Sequence, residues 1–194
     1  MNKTIESQYD LHPLIKNRYS PRIFSNKVIS HDDLKTLLEA GRWSPSSNNI
    51  QPWRIVYGIK GDGIYKRILN CLDDFNTSWS DNATVLLLGG YYKKTPEGKN
   101  NFHALHDLGL FMGNLTVQAQ SMDIAVHQMA GVNFEKAMKA FNFNSDDYHI
   151  ATGIALGYYG GELEDLSDDL QKEERKKRTR KPLEAWAFNG TMTK

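Results

Sequence analysis

The sequence predicts one domain of the α+β or α/β class, in which helices cover a β-sheet. Segments with helical periodicity alternate along the chain with short apolar segments typical of strands. The most apolar of these segments, residues 85–88, is apolar on both faces and is therefore predicted to be a buried strand. We find no internal repeat and no interdomain linker, and a chain of 194 residues can bury one sizeable core. Residues 1–194 are therefore predicted to form a single domain.

The first half of the chain is predicted to contain three helices and one strand. Residues 11–15 have the apolar spacing of a short helix. Ser30 is a typical N-cap, and the helix that follows can end at Gly41. A strand over residues 54–58 and a helix over residues 64–72 come next.

The second half is predicted to be built around one long helix. The predicted elements are a strand over 83–90, a loop over 91–101, a helix over 102–122, a strand and turn over 123–131, a helix over 134–141, a strand over 150–159, and a helix carrying Leu163, Leu166 and Leu170. Gly109 and Gly113 of the long helix are four residues apart and would permit close contact with another helix. Gly153 and Gly157 are typical of a strand that a neighbouring chain segment approaches closely.

The composition gives no indication of a charged macromolecular partner. The formal net charge is +1, which gives no field for nucleic acid or an anionic membrane. Cys71 is the one cysteine, so an intramolecular disulfide is excluded, and it is predicted to be a small apolar residue. The N-terminus lacks the apolar core of a signal peptide, and no apolar run is long enough to span a bilayer. We therefore expect a cytoplasmic protein without nucleic-acid or membrane partners.

The most informative segment is the polar stretch from Ser44 to Trp53, directly after a predicted helix. It combines serine, asparagine and glutamine with two prolines. Rigid prolines, adaptable amides and a closing aromatic residue suit a loop that grips a flat ligand with polar edges. A capped turn that anchors its tryptophan on the core is the alternative interpretation.

Three motifs in order resemble those of the nitroreductase family of FMN-dependent oxidoreductases. They are Arg-Tyr-Ser-Pro-Arg-Ile-Phe at 18–24, Pro-Ser-Ser-Asn-Asn-Ile-Gln-Pro-Trp at 45–53, and Arg-Thr-Arg-Lys-Pro-Leu at 178–183. The resemblance extends from about residue 14 to residue 186, nearly the whole chain. It implies an α+β fold of three layers, with a mixed central β-sheet flanked by helices. It also implies a homodimer with FMN at the interface.

The resemblance also implies a set of FMN contacts. These are Arg18, Tyr19, Ser20 and Arg22 near the N-terminus; Pro45, Ser46, Ser47, Asn49 and Gln51 in the polar loop; Asn76; Ala130 and Gly131; and Arg178 and Arg180 near the C-terminus. Guanidinium groups suit the phosphate because they donate two parallel hydrogen bonds. Gln51 could bind the flavin or brace its loop, and Asn70 and Asn82 are alternatives to Asn76. Ala130 stands where several family members have glutamate, which puts any role of that glutamate toward nicotinamide in doubt.

Other interpretations of the charged residues remain open at this stage. The arginines could form a solvated surface cluster, and residues 175–181 could bind nucleic acid, although the acidic stretch 162–174 argues against the latter. His103 and His106 have the spacing of a metal pair, but no further ligands follow at suitable positions, so no metal is predicted. His127 is predicted to be structural.

The resemblance implies the transfer of reducing equivalents from NADH or NADPH to a nitroaromatic, a quinone or a related acceptor. In such a ping-pong reaction the nicotinamide leaves before the acceptor enters, so the absence of a Gly-rich dinucleotide motif is no objection. The flavin carries the chemistry, and no catalytic side chain is predicted. A dehydrogenase, a dehalogenase or a flavin-destroying enzyme on the same scaffold is an alternative, as is a non-catalytic flavin-binding protein.

Overall fold

The centre of the fold is an antiparallel β-sheet, seen in a computed structural model that describes residues 3–192. Its strands are β1 (Trp53–Ile59), β2 (Val85–Tyr92), β3 (Ile124–Met129) and β4 (Tyr148–Tyr158), in the spatial order β1-β2-β4-β3. Every neighbouring pair is antiparallel. The α+β class is therefore confirmed, whereas the expectation of a mixed sheet is wrong for this chain. The alternation of helices and strands in the sequence does not distinguish a mixed sheet from an antiparallel one. The direction of each strand depends on where the preceding connection brings the chain back to the sheet.

The described residues include seven α-helices, and these agree largely with the sequence pattern. They are α1 (Pro13–Asn17), α2 (His31–Arg42), α3 (Gly63–Leu69), α4 (Asp74–Ser80), α5 (Ala104–Ser121), α6 (Phe134–Ala140) and α7 (Asp168–Arg175). Helix α4 was not predicted. The predicted helix across Leu163 and Leu170 is interrupted, because Leu166 is extended (ψ 153°) between a short 3-10 turn and α7. The predicted loop 91–101 begins later than expected, since β2 continues to Tyr92.

The sheet is the middle of three layers, which confirms the predicted layering. Alternate side chains of β2 enter separate cores: Leu86 and Leu88 lie with residues of α3, α4 and α6, whereas Val85 and Leu87 lie with residues of α2 and α5. All four are at most 1% exposed. Burial of a leucine side chain stabilises a fold by about 1.5–3 kcal/mol, so both layers are held by the same central strand.

The predicted close approaches at β4 glycines are confirmed. A Cβ on Gly157 would lie 2.7 Å from the Cβ of Phe24, so the segment that follows Arg22 packs directly against the strand. A Cβ on Gly153 would lie 3.0 Å from Leu72. The missing side chains of β4 therefore make room for the segments that carry predicted site residues.

Helix α5 has one buried face and one open face. Leu108, Met112 and Leu115 are buried in the core. On the opposite face, a Cβ on Gly109 or Gly113 would meet no atom within 4 Å. Among the described residues, therefore, no helix fills the close-contact position that these glycines predict. No helix within residues 3–192 combines the length and apolar character needed to cross a membrane.

Candidate functional site

Three arginines from opposite ends of the chain lie close together. Burial lowers the pKa of Arg18, and the positive charge of Arg180 lowers it further. Burial likewise lowers the pKa of Arg178, with smaller contributions from Arg18 and Arg180. No ion pair formed within residues 3–192 includes any of these three side chains. We call them the arginine cluster; its uncompensated charge is suited to an anion.

The hydrogen bonds of the arginine cluster leave much of its donor capacity open. Arg18 Nη1 donates to Ser20 Oγ at 3.0 Å, which joins two predicted FMN contacts. Arg178 Nη1 donates to the carbonyl oxygens of Lys3 (2.9 Å) and Lys16 (3.0 Å), and so ties the two ends of the chain together. Arg180 is exposed and donates to the Thr179 carbonyl at 2.7 Å.

Arg22 differs from the arginine cluster because a carboxylate balances its charge. Glu174 is 5% exposed and accepts from both the Arg22 backbone N–H (3.1 Å) and Arg22 Nη1 (3.4 Å) through one oxygen. The pair joins the N-terminal segment to α7. Arg22 is therefore less available to a phosphate than Arg18 or Arg180.

His127 lies beside this N-terminal segment on the edge strand β3. Its Nδ1 is 2.8 Å from the carbonyl oxygen of Pro21, and its ring lies 4.5 Å from the Trp79 ring. Burial lowers the pKa of His127 to about 4, and the charges of Arg22 and Arg18 contribute to the lowering. The imidazole is therefore neutral at physiological pH.

Asn76 and the Ala130–Gly131 turn are adjacent, as one binding surface would require. Asn76 is 8% exposed, and its Nδ2 is 3.5 Å from the Gly131 carbonyl oxygen. A Cβ on Gly131 would overlap the side chains of Asp73 and Asn76, so a larger residue cannot replace this glycine without displacement. An open cavity of about 460 Å³ adjoins the turn and is lined in part by Asp73, Ala130 and Gly131.

The alternative amides are less suitable. Asn82 Oδ1 accepts from the Phe24 backbone N–H at 3.1 Å, and Asn82 Nδ2 donates to the Arg22 carbonyl at 2.9 Å. Both ends of this amide are thus used to hold the main chain. Asn70 lines the cavity at Gly131 but is exposed. Asn76 remains the amide that is both buried and adjacent to Gly131.

The polar loop is held in an unusual backbone conformation. Asn48, Asn49 and Gln51 have positive φ angles of 50°, 55° and 53°. Ser46 Oγ accepts from the Gln51 backbone N–H at 3.0 Å, and Gln51 Nε2 donates to the Asn49 carbonyl at 3.1 Å. The Gln51 side chain therefore braces the loop. Residues kept in sparsely populated conformations cluster at functional sites. Pro45, which precedes them, is exposed.

Asp107 anchors this loop to the first turn of α5. It is 1% exposed, and both of its carboxylate oxygens lie 3.3 Å from the Ser47 backbone nitrogen. His106 Nδ1 is 3.6 Å from the same carboxylate. No group of three or more His, Cys, Asp or Glu residues within residues 3–192 is arranged to hold a metal ion.

The loop and the arginine cluster lie at opposite ends of α5. Asp107 is in the first turn, whereas Gln120, in the last turn, lies 2.7 Å from the Tyr159 hydroxyl beside the cluster. At a rise of 1.5 Å per residue the two positions are about 20 Å apart. The loop also packs on the α5 side of the sheet, whereas Asn76 and Gly131 lie near the core on the other side. Within one chain, the structure brings together Arg18, Arg178 and Arg180, and separately Asn76 and Gly131, but not the loop.

Sequence reasoning missed Asp107, Glu174, Gln120 and Tyr159, which hold or adjoin the predicted contacts. The sequence alone does not show whether an aspartate or a glutamate is buried or exposed in the fold. Tyr159, directly after β4, reaches the Tyr19 carbonyl at 3.1 Å, and such a contact between distant positions depends on the folded topology.

Comparison with known proteins gives the family of this chain, whose layered α+β fold carries the arginine cluster and the strained loop. The family model described as the nitroreductase family matches residues 15–75. A solved structure described as an oxidoreductase containing FMN is 31% identical, with a TM-score of 0.88, and the match covers 97% of this chain and 96% of that chain. The chain belongs to the nitroreductase family.

The curated relatives match over variable lengths. The match covers 22% of a Streptococcus pyogenes protein at 40% identity and 80% of a Polynucleobacter asymbioticus protein at 23% identity, and both names include NAD(P)H nitroreductase. It also covers 28% of the major NAD(P)H-flavin oxidoreductase of Aliivibrio fischeri, at 41% identity. For the first and last of these, the chain therefore matches less than a third of the relative's length.

Proposed function

We propose that this protein is an FMN-dependent oxidoreductase that acts as a homodimer. It would pass reducing equivalents from NADH or NADPH to a nitroaromatic, a quinone or a related acceptor. The observation that carries the proposal is the arginine cluster, in which Arg18, Arg178 and Arg180 lie within electrostatic reach of one another without a carboxylate partner among the described residues. The name of the 31% identical structure, an oxidoreductase containing FMN, supports the same cofactor.

The cluster fits the phosphate of FMN in charge and in donor geometry. A guanidinium group can donate two parallel hydrogen bonds to phosphate oxygens, and each charge-assisted bond is shorter and stronger than a neutral one. Arg18 also fixes Ser20, whose hydroxyl can turn toward an anion. The Tyr19 ring lies 5.0 Å from the Tyr159 ring, and this contact holds the backbone between Arg18 and Ser20.

The flavin ring would lie toward Asn76 and Gly131. The Asn76 amide can pair with the polar edge of the ring, and the absence of a side chain on Gly131 lets its main chain lie directly against the Asp73 and Asn76 side chains. When bound, FMN supplies a ring that accepts hydride and passes it on. Ala130 offers no charge at this turn, so binding here would depend on backbone groups rather than on a carboxylate.

A second copy of the chain would supply the polar loop. The loop in the same chain lies about 20 Å along α5 from the arginine cluster and on the other side of the sheet from Asn76. The open glycine face of α5 offers a surface for close packing of a partner helix. The C-terminal segment supports the same conclusion with exposed apolar side chains at Leu183 (37%), Trp186 (60%), Phe188 (38%) and Met192 (74%).

One cavity would serve donor and acceptor in turn. The sequence has no separate dinucleotide-binding motif, and the cavity at Gly131 is open. A nicotinamide and an acceptor that occupy the same space must bind in sequence. We therefore expect parallel double-reciprocal lines in steady state.

Rapid mixing of the flavin-loaded protein with NADH or NADPH tests this function. Bleaching of the oxidised flavin spectrum, followed by recovery on addition of a quinone, is the expected result. If neither nicotinamide bleaches the flavin while FMN is tightly bound, the protein is a flavin binder or uses another donor.

A further inference from the structure

Side chains from distant elements hold the main-chain segment 19–24 at five points, one of which is the Phe24 N–H, which donates to Asn82 Oδ1 at 3.1 Å. Tyr159 Oη lies 3.1 Å from the Tyr19 carbonyl, His127 Nδ1 lies 2.8 Å from the Pro21 carbonyl, Asn82 Nδ2 donates to the Arg22 carbonyl at 2.9 Å, and Glu174 accepts from the Arg22 N–H at 3.1 Å. All of these bonds act on main-chain atoms, so they determine the path of the backbone between Arg18 and Phe24.

The contact of His127 is central because Pro21 lies between Ser20 and Arg22. A carbonyl oxygen only accepts, so His127 Nδ1 carries the hydrogen and donates it. The ring is packed against Trp79, which is 1% exposed, and this contact restricts its orientation. The histidine therefore presents one donor in a defined direction.

His127 lies close enough to two basic residues of the N-terminal segment to feel their charges. Both Arg22 and Arg18 act electrostatically on the imidazole, and a neutral ring accommodates them without repulsion. A cationic residue at this position would oppose both guanidinium groups. A neutral donor, as found here, can direct the backbone without adding charge.

We propose that His127 is a positioning residue which, by holding the Pro21 carbonyl, orients Arg18 and Ser20 toward the phosphate of FMN. It acts through the backbone and does not touch the phosphate. This inference rests on the proposed FMN-dependent function.

The test compares FMN and riboflavin, which differ by the phosphate, in titrations of the apoprotein. H127L keeps an apolar side chain of moderate size but loses the donor, whereas H127N keeps a donor near the position of Nδ1. We expect H127L to weaken FMN binding about fivefold to tenfold and riboflavin binding less than about twofold. H127N should stay within about threefold of the wild type for both ligands.

Y158F is the matched control, because it removes a hydrogen bond of Tyr158 to Asp33 on the α2 side of the sheet. It should leave the preference for FMN unchanged. If H127L does not fold by circular dichroism, H127Q, whose amide reaches toward the Nε2 position instead, takes its place.

Each outcome distinguishes the positioning role from the function itself. Equal losses for both ligands, an unchanged preference for FMN in H127L, or H127N as weak as H127L would overturn the role of His127. If the wild type prefers FMN while H127L retains that preference, the positioning inference alone fails. If the wild type binds no FMN, the proposed function fails together with the inference.

Discussion

Arg18 and Arg180 differ from Arg22 in how their charge is balanced. The carboxylate of Glu174 accompanies Arg22, whereas no ion pair within residues 3–192 includes Arg18 or Arg180. An anion that enters the arginine cluster therefore gains attraction mainly from the side chains without a carboxylate partner. The sequence motifs predict the same role for all three arginines, whereas in the structure only Arg22 has a carboxylate partner.

Arg18→Ala and Arg180→Ala should each weaken FMN binding by about tenfold to a hundredfold. A hydrogen bond to a charged group contributes about 1.5–3 kcal/mol, and each variant removes such donors from the phosphate. Riboflavin binding should change much less. Titration of both ligands into apoprotein measures the difference.

Arg175→Ala is the control for Arg18→Ala and Arg180→Ala. Arg175 is an exposed arginine of α7 that pairs with Gln171, so its loss removes a positive charge without removing a predicted phosphate contact. If Arg175→Ala weakens FMN binding as much as Arg18→Ala and Arg180→Ala do, the losses come from the general positive charge of this region and not from specific phosphate contacts. Equal losses for FMN and riboflavin would reject a phosphate role.

His127 should make the stability of the fold depend on pH. Its folded-state pKa of about 4 lies below its ordinary value of 6.5, so the unfolded chain binds the proton more readily. The contribution of His127 to the free energy of unfolding is therefore fully present above about pH 6.5. It is lost as the pH falls toward about 4, and the loss amounts to up to about 3 kcal/mol. Urea unfolding of the wild type and H127N at several pH values measures this, and an identical pH dependence in both would contradict it.

At the scale of single elements, Asp107 determines how the polar loop sits on α5. Asp107→Leu removes the acceptor from the Ser47 N–H, and it should lower the free energy of unfolding by about 1–3 kcal/mol and weaken FMN binding. Asp107→Asn keeps an acceptor oxygen and should lose less than half as much. Urea unfolding with FMN titration checks both, and an unaffected Asp107→Leu variant would remove this anchoring role.

The sequence predicted most elements of the fold but not their arrangement. The helix at Ser30 was predictable because Ser30 accepts from the Asp33 N–H at 3.0 Å, a local cap that sequence spacing reveals. Helix α4 has only seven residues, rich in Ser, Asn and Thr, and its cap at Asp73 resembles a turn. The direction of the strands was not predictable, because it depends on contacts between distant segments.

The predicted site shows the same limit. Local motifs indicated Arg18, Ser20 and the polar loop, and the resemblance linked them to one ligand. The carboxylates of Glu174 and Asp107 had no motif, because their importance comes from burial of 95% or more in the folded chain. The separation of the loop from the arginine cluster along α5 also becomes visible only in the fold.

At the scale of the whole molecule, the homodimer is expected to depend on the open face of α5. Light scattering should give about twice the chain mass of 22.1 kDa. Gly113→Arg should shift the protein toward a monomer, because a long side chain would block close packing while meeting no atom of its own chain within 4 Å of its Cβ.

The matched control for Gly113→Arg is Gly63→Arg. A Cβ at Gly63 also meets no atom within 4 Å, but Gly63 begins α3, away from the α5 face. This variant should remain a dimer. A Gly113→Arg protein that stays dimeric would place the interface elsewhere, and a wild-type monomer that holds FMN would contradict the composite site.

Titration of the wild-type apoprotein with FMN and with riboflavin tests the central claim most directly. That claim is that the two ends of the chain build a phosphate site for FMN. We expect saturation at one FMN per chain, with an affinity at least about a hundredfold above that for riboflavin, because several charge-assisted bonds depend on the phosphate. Equal affinities for the two ligands, or no binding of FMN, would contradict it.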